Sequence, residues 1–166
     1  MILEESAVSG QKHRSLVRPI VAVLAVVIRD GRVLLVQRAN SPDAGLWGFP
    51  GGKVEFGEHL LAVAERELLE ETGVGAKAQQ AFNAVDAYDL AENGELRRHF
   101  VLIAVQCLWQ AGEPAAADDA LDARWFSLEK LETAVTLSRD VAEIARQASG
   151  LKANGGNGPG VAGFAI

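Results

Sequence analysis

Residues 51–74 read GGKVEFGEHLLAVAERELLEETGV, and their reading decides the fold. Two glycines open the stretch, Glu58 stands alone, and Arg66-Glu67 and Glu70-Glu71 follow before Gly73. The spacing predicts a helix from about His59 to Thr72. Leu60, Leu61, Ala64, Leu68 and Leu69 form an apolar stripe on it, with Glu67, Glu70 and Glu71 together on the opposite face. Gly73 stands where a glycine ends a helix. Like charges three and four residues apart repel by roughly 0.2–0.5 kcal/mol per pair, so a purely structural helix gains nothing from these glutamates. A divalent cation reverses that sign. Carboxylate oxygens suit magnesium or manganese, and the phosphate oxygens of a substrate can complete an octahedron around such an ion. A solvated acidic face would account for each glutamate singly. It leaves Gly51-Gly52, Glu58 and Gly73 at their fixed offsets unexplained.

Upstream, IVAVLAVVIRDGRVLLVQR (residues 20–38) holds two apolar runs around Asp30-Gly31, a hairpin signal. Apolarity that is continuous rather than alternating implies strands covered on both faces, and therefore helices on both sides of the sheet. Ala39 to Phe49 reads as a loop punctuated by Pro42, Gly45 and Gly48. Downstream, Ala81 to Leu90 reads as a strand, Asn93-Gly94 as a second hairpin, and His99 to Trp109 as a buried strand. An acidic loop, Ala111 to Ala123, precedes the short strand Arg124-Trp125-Phe126. Ser127 is read as the cap of one helix, and Ser138 as the cap of another across Arg139 to Ser149, stopped at Gly150. The pattern is α/β, a mixed sheet between helical layers. Residues 1–18 read as a flexible arm, 19–150 as one domain, and 151–166 as a flexible Gly-rich tail.

The chain has 166 residues and a net charge of −6, with no run of lysine or arginine. That argues against a nucleic-acid partner, and it means an anionic substrate needs a local positive source such as a bound metal. The longest apolar run, Ile20 to Ile28, is too short to cross a bilayer, so no membrane partner is expected. The first residues lack a signal-peptide pattern, and a cytoplasmic location follows by default. The single cysteine, Cys107, reads as a packed core thiol. A homodimer is left open.

The stretch resembles the signature of the Nudix family, Gly-x5-Glu-x7-Arg-Glu-U-x-Glu-Glu-x-Gly-U with U aliphatic. Gly52, Glu58, Arg66, Glu67, Leu68, Glu70, Glu71, Gly73 and Val74 fill every defined position. The resemblance implies an α/β/α sandwich and a hydrolase that splits a diphosphate linkage with Mg2+ or Mn2+. It makes Glu67, Glu70 and Glu71 metal ligands and adds a backbone carbonyl at Gly51 or Gly52. Arg66 would orient a glutamate, and Glu58 would assist from the start of the helix. Some members take a general base from the loop before the last strand. Counting back from Trp125 makes Asp119, with Asp118 beside it, the candidate here, and Glu70 or Glu71 the alternative.

Arg38, Gly51 and Gly52 are candidate substrate contacts, and Trp47 a candidate stacking surface. Phe49 reads as core. Tyr88 reads as a half-buried strand residue, and Arg97, Arg98 and His99 sit where they could reach an anion. The substrate implied is a nucleoside diphosphate derivative, ADP-ribose or a relative. A nucleoside triphosphate or a dinucleoside polyphosphate is the alternative. Many ADP-ribose members carry a proline sixteen residues past the closing glycine, where this chain has Asp89. A nucleotide sensor would need a DNA-binding segment, and an isoprenoid diphosphate isomerase would need a cysteine beyond Cys107.

Overall fold

The computed structural model describes residues 17–152. The expected tail beyond Lys152, and the expected arm apart from Val17 and Arg18, lie outside the described residues.

Strand β1 (Ile20–Arg29) is the spine. Along one edge it pairs in parallel with β6 (Leu96–Ala111), from Ile20↔Phe100 to Val27↔Cys107. Its other edge is shared. Ala22–Leu24 pair with β4 (Gly51–Lys53), and Ile28–Arg29 pair with β2 (Arg32–Arg38) across the Asp30-Gly31 turn. Both turn residues have positive φ, 50° and 69°, as a two-residue hairpin turn matched to strand twist requires. Strand β2 also pairs with β3 (Trp47–Gly48) and β7 (Ala120–Ser127), and β5 (Gly75–Leu90) forms a long hairpin with β6. The result is a seven-stranded mixed sheet.

Alternation along β1 feeds two cores. Val23, Ala25 and Val27 meet Val63, Ala64 and Leu68 of α1 (Leu60–Thr72) on one face. On the other, Val26 joins Leu35, Phe49 and Ala104 against Val141, Ile144 and Ala145 of α3 (Val141–Ser149). The sandwich is thus the expected one. Burying each such Val, Leu or Ile contributes about 1.5–3 kcal/mol. Between the layers' ends lie a 3-10 turn, Leu128–Lys130, and a short helix, α2 (Leu131–Ala134). Among the described residues no helix is long and apolar enough to cross a membrane.

Several boundaries differ from the expectations. The buried row of α1 is Val63, Ala64, Leu68 and Thr72, whereas Leu61 and Leu69 are exposed. The helix has rotated so that Glu67 and Glu71 border the buried row instead of lying opposite it. Strand β5 starts directly after α1, and the loop after β2 contains β3. Ser127 occupies the cap position of the 3-10 turn without a side-chain capping bond. Ser138 caps nothing either: α3 begins at Val141 after Asp140, whose φ is 65°. The cause is a long-range bridge. Trp47 N–H donates to Thr136 O (3.0 Å) and Ser138 N–H to Trp47 O (2.8 Å), which keeps residues 136–138 extended beside β3.

Candidate active site

The signature helix α1 lies against the glycines of β4. Ala25 N–H donates to Pro50 O and Val54 N–H to Val21 O, so Val23 and Gly52, midway between, form a hydrogen-bonded pair of the same antiparallel ladder. Gly52 therefore spends its backbone on β1. Gly51 turns its N–H and C=O the other way, toward α1, and that N–H donates to Glu71 Oε2 at 3.3 Å. Neither position has room for a side chain. A Cβ on Gly51 would run into the backbone carbonyl of Val23, and one on Gly52 into the carboxylate of Glu67. Of the two carbonyls expected as alternatives, the one suited to a ligand role is accordingly that of Gly51, while Gly52 supplies space for Glu67.

Arg66 gathers the other acids. Its Nε–H and Nη2–H donate to the two carboxylate oxygens of Glu58 at 2.7 and 3.0 Å, while Nη1–H donates to Glu67 Oε1 at 2.8 Å and Glu70 Oε2 at 3.2 Å. The bonds from Arg66, above all, hold the Glu58 carboxyl below its usual range, and Glu58 foremost drives the guanidinium further into its charged form. The expected three-glutamate cluster is not closed. The Glu67 side chain is 13% exposed against the glycine strand, but that of Glu70 is 49% exposed and drawn off by Arg66. Among the described residues no three His, Cys, Asp or Glu side chains converge into a ready cation cage.

Glu71 is the buried member. Its carboxyl is pushed up to about 7, first by burial and next by the negative charges of Glu67 and Asp118, against the opposing pull of the Gly51 N–H and Arg38. The loop before β7 is pinned here, because Ala117 N–H donates to Glu71 O and Ala115 N–H to Thr72 O. Of the two aspartates in that loop, Asp118 bears on Glu71, while Asp119 engages through its backbone carbonyl, which accepts from Ala39 N–H at 3.3 Å. Position alone did not separate these neighbours.

Arg38 ends β2 close enough for its charge to act on Glu71, as a phosphate contact would require. Trp47 does not serve as a stacking surface. It is 7% exposed, its ring set edge-on to Phe126 at 4.7 Å, with Phe49 buried in the same core. Arg98 is paired with Asp89 at 2.7 Å, and His99 with Asp86 at 2.8 Å. Tyr88 is exposed beside His99. Cys107 is a core thiol as expected, and burial pushes it up to about 12.

The donors facing the glycine strand are oxygens only: the carboxylates of Glu67 and Glu71 and the carbonyl of Gly51. A buried carboxylate that resists ionisation beside a second carboxylate is a place where a hard divalent cation would be stabilising. The residues fit such an ion, with Glu70 free to join by rotating away from Arg66.

A glutamate-bearing helix laid on a glycine strand inside an α/β/α sandwich defines the class of Nudix-fold hydrolases. Residues 18–147 match the NUDIX domain. Over 121 residues the chain is 34% identical to an ADP-ribose pyrophosphatase of Methanocaldococcus jannaschii, which covers 73% of this chain and 69% of that protein. Over 138 residues it is 33% identical to the putative 8-oxo-dGTP diphosphatase 2 of Mycobacterium tuberculosis, covering 81% and 94%. The crystal structure of a MutT NUDIX hydrolase from Burkholderia pseudomallei superimposes with a TM-score of 0.67 at 32% identity, covering 78% of this chain and 98% of that one. The chain belongs to the NUDIX family, whose members generally use divalent metal ions.

Proposed function

We propose that the protein hydrolyses a phosphoanhydride bond in a nucleoside diphosphate derivative, with magnesium or manganese as cofactor. The observation that carries the reading is the placement of the Glu67 and Glu71 carboxylates against the Gly51-Gly52 strand. Glu67, Glu71 and the Gly51 carbonyl would hold the metal, and Glu70 would swing in from its single bond to Arg66. When bound, the ion neutralises phosphate charge and lowers the pKa of its water from about 15.7 toward about 7. Arg66 fixes the Glu58 and Glu67 carboxylates in place, so that they need not reorganise during the reaction. Arg38 orients a phosphate of the substrate. The Asp118-Asp119 loop, pinned to the end of α1, supplies the group that takes the proton from the attacking water.

ADP-ribose is one substrate arm, supported by the archaeal relative. Nucleoside triphosphates are the other, supported by the mycobacterial relative, of which the chain covers 94%. A cytoplasmic location belongs to the same proposal.

The test is incubation with Mg2+ or Mn2+ and a panel of ADP-ribose, nucleotide sugars, diadenosine polyphosphates and nucleoside triphosphates, with products separated chromatographically. AMP with ribose phosphate, or a nucleoside monophosphate with diphosphate, is the expected outcome. Glu71→Gln abolishes most turnover. Hydrolysis that persists undiminished in this variant, or in EDTA, would overturn the reading.

A further inference from the structure

Residues 112–119 carry the proposed proton acceptor from β6 to β7 outside any strand ladder. What fixes the path of this connector therefore fixes Asp118. Toward β7, Ala115 and Ala117 bond to the last turn of α1, and Asp119 O accepts from Ala39 N–H. The other end begins with a close crossing. Gly112 has a φ of 88°, and a Cβ on it would lie 2.8 Å from Gly73 O, so the connector passes the end of the signature helix backbone against backbone. Trp109 Nε1–H donates to Gly112 O at 2.9 Å at the same crossing. Glu113 follows, and its two carboxylate oxygens reach two different strands. Oε1 accepts from Arg29 Nη1–H of β1 at 2.7 Å, and Oε2 from Trp125 Nε1–H of β7 at 3.1 Å. Arg29 is itself held, with its guanidinium 3.8 Å from the centre of the Trp109 ring of β6. The bonds from Arg29, then from Trp125, keep the Glu113 carboxyl below its usual range, so both oxygens remain acceptors at neutral pH.

We infer that Glu113 is a positioning residue for the hydrolysis: by tying the start of the connector to β1 and β7, it sets Asp118 beside Glu71. The inference rests on the phosphoanhydride reading above, with this connector supplying the proton acceptor. Glu113 acts through Asp118, five residues further on, and not on the substrate. Its side chain is 68% exposed, and an ion pair so open to water adds little to stability. Its leverage is geometric, because misplacing a reacting group by about 1 Å can cost about 100-fold in rate. Without the Glu113 clamp, the start of the connector is held by the Gly112 crossing alone. The bonds of Ala115 and Ala117 to α1 then open more often, and Asp118 moves with them.

Glu113→Ala tests this by two measurements. In the metal-free protein, hydrogen exchange at the Ala115 and Ala117 amides quickens at least about fivefold, while exchange at Val63, whose amide bonds within α1, stays as it was. With Mg2+ and either ADP-ribose or a nucleoside triphosphate, whichever is turned over faster, kcat falls about tenfold and KM stays within about twofold. That loss disappears in a chain already carrying Asp118→Asn, where adding Glu113→Ala changes kcat by less than about twofold. A merely structural role would lower kcat alike in both backgrounds. Unchanged exchange at Ala115 and Ala117, or equal kcat losses in the two backgrounds, overturns the inference and leaves the proton-acceptor reading standing. Native kcat in Asp118→Asn alone overturns that reading and the inference with it, so the two failures are told apart.

Discussion

The carboxylate of Glu67 occupies the volume that a side chain at Gly52 would need. The neighbouring Gly51 is constrained by something harder, the backbone carbonyl of Val23. Adjacent glycines therefore fail in different ways when a methyl is added. Gly52→Ala pushes aside a side chain, so Mn2+ affinity and kcat drop at least about tenfold while the melting temperature changes little. Gly51→Ala forces β4 away from β1 and costs on the order of 2 kcal/mol or more in denaturant unfolding. Equal stability losses in the two variants would contradict this division.

Glu71 links pH to stability. Its carboxyl, ordinarily near 4.5, is pushed up to about 7 in the folded chain, so the folded state holds that proton more tightly than the unfolded one. The resulting stability is fully present below pH 4.5 and is lost as pH rises through about 7. Glu71→Gln removes the loss. Allowing for partial solvent screening, the metal-free variant is more stable than the native chain at pH 8 by on the order of 2 kcal/mol, and the gap closes near pH 5. Saturating Mg2+ raises the melting temperature of the native chain and leaves that of the variant in place. A metal-free Glu71→Gln protein that melts below the native chain at pH 8 sinks the argument.

Arg66 holds Glu58 through two parallel bonds and reaches Glu67 and Glu70 with a third nitrogen. A lysine keeps the charge and loses the fork. Arg66→Lys lowers kcat or Mn2+ affinity about 10–100-fold. It costs less than about 1 kcal/mol in stability, since the side chain is a third exposed and its pairs are screened. Steady-state kinetics with a Mn2+ titration check this, and a variant matching the native chain in both readings removes Arg66 from the site.

What could be read from residue order was what local spacing controls. The glutamate helix, its stop at Gly73, the Asp30-Gly31 hairpin and the covered strand β1 all follow from short-range periodicity and turn chemistry. What could not be read depends on partners far along the chain. The side-chain direction of Glu70 results from competition between the glycine strand and Arg66, and charge spacing cannot settle that competition. Trp47 looked available because it sits in a Gly-rich loop. Its bridge to residues 136–138 and its contact with Phe126, however, close it into the core. Ser138 carried the signal of a helix cap, and the same bridge frees its hydroxyl from that task.

The two aspartates before β7 separate on the same grounds. Asp118 has a positive φ of 53°, a conformation aspartate tolerates better than most residues, and its charge is felt by Glu71. Asp119 is tied in through its backbone carbonyl, which any residue could provide. A general base contributes about 10²–10⁴-fold, so Asp118→Asn lowers kcat by at least about 100-fold, with KM nearly unchanged. Asp119→Asn stays within about threefold of the native chain, because the bond from Ala39 N–H survives the change. Raising the pH partly restores Asp118→Asn, since hydroxide substitutes for a missing base, whereas a variant damaged only in folding gains nothing. The reverse ranking of the two variants assigns the base to Asp119.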